Sequence, residues 1–178
     1  MSIVQQADLF GFAEYGPISG TLPGATYSDV YSEVYEQNRG RVYALAFWMT
    51  DNELAAEELM TNTFCRVFAE NDTPAPEEID HALIAELRRH MPLGALTLNC
   101  SPCERILSVR KKVGKNTLRV DLERALVQLP STEKMIFLMH DVESYDHARV
   151  AATLGLTEEE SRRGLHQARL RIRELLAT

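Results

Sequence analysis

The sequence is poor in the features that would assign it to a membrane, an oxidising compartment or a β-rich fold. It contains no run of about 18 apolar residues, so no segment reads as a span and no membrane insertion is expected. Met1 to Gln6 lack the basic start and apolar stretch of a secretion signal, which makes a cytoplasmic protein the expectation. Only three cysteines occur, Cys65, Cys100 and Cys103, too few and too oddly numbered for a disulfide framework and suited to a reducing environment. Alternating strand patterns are nearly absent. Positive charge is not in excess either: 19 Lys and Arg stand against 26 Asp and Glu, a net charge of −7. As a sum, that argues against a polyanionic partner.

The distribution of charge says more than the sum. Residues 1–38 carry five acids and no Lys or Arg. Residues 91–120 carry six bases, Arg105, Arg110, Lys111, Lys112, Lys115 and Arg119, against the single acid Glu104. Residues 157–178 carry five arginines against four glutamates. An acidic front followed by two basic segments suits a chain that meets a protein with one part and a polyanion with another; uneven solvated surface is the plainer alternative.

Apolar spacing points to an all-α protein of two small helical domains joined by a linker. Residues 1–26, punctuated by Gly11, Gly16, Pro17, Gly20, Pro23 and Gly24, read as an irregular N-terminal extension. Residues 27–91 read as the first domain. Its first helix carries Val30, Val34, Val42, Leu45, Ala46 and Met49 near one face. Asp51 and Asn52 end it and cap a second helix from about Glu53 to Ala69. After the Pro74-Ala75-Pro76 loop comes a third, from about Glu77 to His90. Residues 92–118 read as the linker. Residues 119–178 hold four further helices: Asp121 to Leu129, a helix capped by Ser131 or Thr132 and running to His140, Asp146 to Leu154, and a last one reaching about Ala177. Thr157 and Glu160 have capping-box spacing at the start of the last helix.

A helix-turn-helix needs a small residue where its helices cross and a glycine in the turn, and Ala151 and Gly155 supply them. Val150, Leu154, Leu156 and Leu165 give the packing, and Arg162, Arg163, His166, Gln167 and Arg169 follow on the second helix. The flanking runs are Leu122 to Pro130, Glu133 to Val142 with Tyr145, Ala151 to Gly155, and Leu165 to Arg169. Together they resemble region 4 of the sigma-70 family, in its extracytoplasmic-function (ECF) group. Tyr35 to Tyr43, Ala56 to Met60 and Thr63 to Phe68 are similar to region 2 of the same group. The resemblance implies a sigma factor: a non-catalytic, DNA-binding protein whose partners are core RNA polymerase and promoter DNA. It implies no cofactor and no catalytic residues. Arg162, Arg163, His166, Gln167 and Arg169 would meet the −35 element, and Arg88 and Arg89 the −10 surface. Glu57, Glu58, Thr61 and Asn62 would face the polymerase clamp.

Several positions depart from the family pattern. Thr61 and Asn62 stand where Gln and an acid are usual, and residues 79–91 lack the aromatics that would stack on flipped bases. Ser161 replaces a buried aliphatic, Gly164 a commonly basic residue, and Glu158, Glu159 and Glu160 crowd the end of the helix that would enter the groove. A second reading therefore stays open: a sigma-like interaction module that binds an anti-sigma factor or polymerase without initiating transcription. Other constellations carry less. Cys100 and Cys103, with His81 or His90, make half a zinc knuckle without a second pair, so no metal is expected. The pairs His140-Asp141 and Asp146-His147 lie at helix ends and point to no catalysis. Cys65, beside Phe64 and Phe68, is expected in the core.

Overall fold

The computed structural model describes residues 27–97 and 119–176, with side chains from residue 31 onward. Seven helices make up the described residues, and no strand occurs among them: α1 Tyr27–Thr50, α2 Glu53–Glu70, α3 Pro76–Leu87, α4 Arg119–Val127, α5 Ser131–Phe137, α6 His147–Leu154 and α7 Glu158–Leu176. None is long and apolar enough to cross a membrane. The irregular extension and the basic run with Cys100 and Cys103 lie outside the described residues, apart from Arg119 at the start of α4.

Local chemistry sets most helix ends. Asn52 caps α2 by accepting the Ala55 N–H at 3.1 Å. Pro76 opens α3, where its missing N–H costs nothing, and the Glu78 carboxylate accepts the Ala75 N–H at 2.7 Å. The cap expected at Ser131 or Thr132 is instead Pro130, without a side-chain hydrogen bond. Thr132 is buried, and its hydroxyl accepts the Gly94 N–H at 3.3 Å. Helix α5 runs on into one wider π turn, Leu138–Val142.

Helices α1 and α2 pair through aromatics, with Tyr35 edge-on to Phe64 at 4.9 Å and Tyr31 edge-on to Phe68 at 5.0 Å. Cys65 is exposed, contrary to expectation. Phe64 and Phe68 lie four residues apart on the inner face, which turns the intervening Cys65 and Arg66 outward. The two halves of the molecule are not separate beads. One apolar cluster takes in Val42 and Leu45 of α1, Leu83 and Leu87 of α3, Ile136 of α5 and Val150 and Leu154 of α6. A second, smaller cluster seats α4 on α7 through Leu126, Leu129, Ala168 and Ile172.

Candidate nucleic-acid interface

The helix-turn-helix is built as its residue types require. Asp146 caps α6 by accepting the Arg149 N–H at 2.7 Å. Gly155 ends α6 in the left-handed region, φ 67°, where a side chain would be strained, and the Leu156 N–H returns to the Ala151 carbonyl at 2.9 Å. Ala151 is buried at the crossing. The capping box forms: the Glu160 N–H reaches the Thr157 hydroxyl at 3.2 Å, and the Thr157 N–H reaches the Glu160 carboxylate at 2.8 Å. That N–H and the Thr157 hydroxyl, which donates to the same carboxylate at 2.9 Å, hold the Glu160 carboxyl below its ordinary pKa.

The departures in α7 acquire reasons. Ser161 is fully buried, and its hydroxyl hydrogen-bonds His147 Nδ1 at 2.9 Å, so a polar pair occupies the aliphatic position. A Cβ on Gly164 would lie 2.5 Å from Ile136 Cδ1 and 2.7 Å from Leu96 Cδ2. The glycine thus lets the segment after α3 pass between α5 and α7. A longer, basic residue here would have to displace both side chains.

Of the residues expected at the −35 element, Arg162, Arg163, His166 and Arg169 are exposed on one side of α7, whereas Gln167 is buried at 3% exposure. Gln167 follows Gly164 by three residues and shares its inward face. Arg162 pairs with Glu158 at 2.6 Å. Arg169 grips Asp141 through two bonds of 2.6 and 2.9 Å. Arg163 and His166 make no hydrogen bond or ion pair among the described residues. Beside this face the His140 and His147 rings stack at 4.3 Å. Burial, then the neighbours His140 and Arg162, lower the His147 pKa. Burial would raise Asp141, but hydrogen bonds from Arg169 and His140 outweigh it and bring its carboxyl below the usual range.

The residues expected at the −10 surface are engaged elsewhere. Arg88 is exposed, yet it donates to the Leu154 carbonyl of α6 at 2.8 Å. Arg89 pairs with Glu86 at 2.9 Å. Glu57, Glu58, Thr61 and Asn62, expected at the polymerase clamp, lie together on the exposed face of α2, with the 77%-exposed Leu54 one turn before Glu58. Sequence reasoning missed Asp80. This α3 carboxylate is 2% exposed and is bound by Arg41 of α1 and, at 2.6 Å, by Arg149 of α6. Its one legible signal was an acid at a position where the apolar pattern of α3 turns inward.

A left-handed glycine turn, a buried alanine at the crossing and a cationic outer helix face define a helix-turn-helix. Residues 119–172 match the family described as Sigma-70, region 4. Over most of its length the chain is also similar to an ECF-type protein. It is 27% identical over 158 residues to the ECF RNA polymerase sigma factor SigE of Mycolicibacterium smegmatis, across 83% of this chain. It spans 62% of that relative's length.

Proposed function

We propose that this protein is an ECF-type sigma factor, which binds core RNA polymerase and directs promoter-specific initiation in the cytoplasm without catalysis of its own. The observation that carries it is the outer face of α7, which offers Arg163 and His166 uncommitted beside Arg162 and Arg169, on a helix whose turn and crossing fit region 4. Arginine reaches base edges or phosphates from such a face. In this reading residues 27–91 and 119–178 are the two working domains, 92–118 the linker and 1–26 an extension. Glu57, Glu58, Thr61 and Asn62, with Leu54 beside them, form the polymerase-docking face. Arg88 and Arg89 serve the −10 side, and Arg162, Arg163, His166 and Arg169 the −35 side. Gln167 drops out of that set because it faces the core.

The test is run-off transcription with core polymerase and a library of promoter fragments. Defined start sites that disappear with Arg163→Ala support the proposal; no specific start with any fragment removes it. A second reading is favoured by the carboxylates Glu158 and Asp141 already seated on Arg162 and Arg169. It is an interaction module that binds polymerase or an anti-sigma factor without initiating. Co-purification with core polymerase and blank gel shifts would select it.

A further inference from the structure

Beside the cationic face of α7 two imidazoles stack. His140 of the π turn and His147, the first residue of α6, lie with ring centres 4.3 Å apart and planes 29° from parallel, both half-buried. Each ring is anchored through Nδ1, His140 by the Asp141 carboxylate at 3.0 Å and His147 by the buried Ser161 hydroxyl at 2.9 Å. Both anchors survive protonation of the rings. An Nδ1–H donates to the carboxylate in either charge state, and a serine hydroxyl accepts as readily as it donates.

The charges around the pair balance only while both rings are neutral. Among the described residues the groups facing them are Glu158, Arg162 and Arg169 of α7 and Asp141 of the π turn. Glu158 is already seated on Arg162 at 2.6 Å, and Asp141 on Arg169 at 2.6 Å. The two carboxylates thus cancel the two guanidiniums, and a proton on either ring adds a charge with no counterpart. A second proton would set two cations face to face across the stack. His147 carries a further penalty, because it opens α6, where the helix dipole opposes positive charge.

A phosphate backbone supplies the missing negative charge. In a helix-turn-helix the first helix crosses the sugar-phosphate backbone while the second enters the groove. His147 opens the first helix, and Arg162 and Arg169 stand near it on the second. We propose that the His140–His147 pair is a proton-uptake site coupled to DNA: as the α7 face docks on a duplex, the pair takes one proton from solvent, so that affinity rises as the medium is acidified from neutrality. This rests on the reading of α7 as a DNA interface. Uptake stops at one proton because the first opposes the second across the stack. By linkage, one proton sets a ceiling of about tenfold in affinity per pH unit.

Fluorescence anisotropy on the full chain with a mixed-sequence DNA duplex tests it, at constant low ionic strength from about pH 7.5 to 6, where imidazoles titrate. His166 is an exposed imidazole on the same face, so the series is run both in the unaltered chain and in a His166→Gln background. Affinity should climb several-fold toward pH 6 in both, and adding His140→Gln with His147→Gln should remove most of the climb, with folding checked by circular dichroism. Imidazole NMR on the unaltered chain needs no variant: DNA should move the titration of the His140 and His147 rings to higher pH. An equal climb in the folded double replacement overturns the proposal, as do His140 and His147 titrations that DNA leaves in place. Binding that ignores pH removes the proton linkage alone, whereas no binding by any sample at any pH removes the DNA reading of α7 and the linkage with it.

Discussion

Helix α7 and the residues just after helix α3 both carry cations that a nucleic acid could use, but they employ them differently. Along α7 the buried stripe is small, Ser161, Gly164 and Ala168, with Leu165 and Ile172, while Arg162, Arg163, His166 and Arg169 face out. At α3 the buried Asp80 is taken up by two arginines, and Arg88, just past the helix, by the α6 carbonyl. The helix expected to open DNA is thus part of a joint, while the helix expected to read it is ready. Packing, more than composition, makes that difference.

The sharpest way to break the comparison is through the shared core. Leu154 is fully buried where the halves meet, so Leu154→Ala should cost about 2–5 kcal/mol. Both halves should then melt earlier in a single calorimetric transition; two transitions, with the α1–α3 half unmoved, would show the halves to be independent. Next is Gly164→Leu, expected to destabilise by roughly 1–3 kcal/mol through overpacking against Ile136 and Leu96, read by urea denaturation. Gly164→Ala should sit near neutrality, since a gain of about 1 kcal/mol in helix propensity opposes the clash. Arg163→Ala should leave stability within about 0.5 kcal/mol but weaken promoter binding by about 1–3 kcal/mol if it reads a base, measured by gel shift at fixed salt.

Smaller effects come from the histidine stack. The folded-state pKa of His147 lies below the ordinary 6.5, so the unfolded chain takes the proton more readily. The contribution of neutral His147 is therefore complete above about pH 6.5 and diminishes as pH falls toward its folded value. Asp141, also depressed, adds a loss at lower pH still, as its carboxylate protonates. Melting temperature should decline from pH 7 to 5.5 and do so less in His147→Gln; an equal decline in both would exclude His147 as the cause. Smallest of all is Cys65→Ser, within about 0.5 kcal/mol, and thiol reagents should modify Cys65 in the folded protein, as peptide mapping would show.

Much of the fold could be read from residue order. Asn52, Asp146, Gly155 and the Thr157–Glu160 box mark helix ends by local chemistry, and local chemistry survives folding. Cys65 should have been legible too, since helical period alone turns it away from Phe64 and Phe68. Other features depend on what arrives from far along the chain. Gly164 reads as a helix defect until Leu96 is found beneath it, and Ser161 as a loss until His147 is found opposite. Asp80 is a solvated helix acid until Arg41 and Arg149, 39 and 69 residues away, converge on it.

The central question for this molecule is whether α7 meets DNA as one half of a polymerase-bound reader. Footprinting core polymerase with this protein on a promoter that it selects addresses that directly. Protection should cover both the −35 and −10 regions, and the upstream part should fade with Arg163→Ala while the complex stays intact. Polymerase bound to the protein without protection upstream, or protection that ignores Arg163 and His166 substitutions alike, would contradict it.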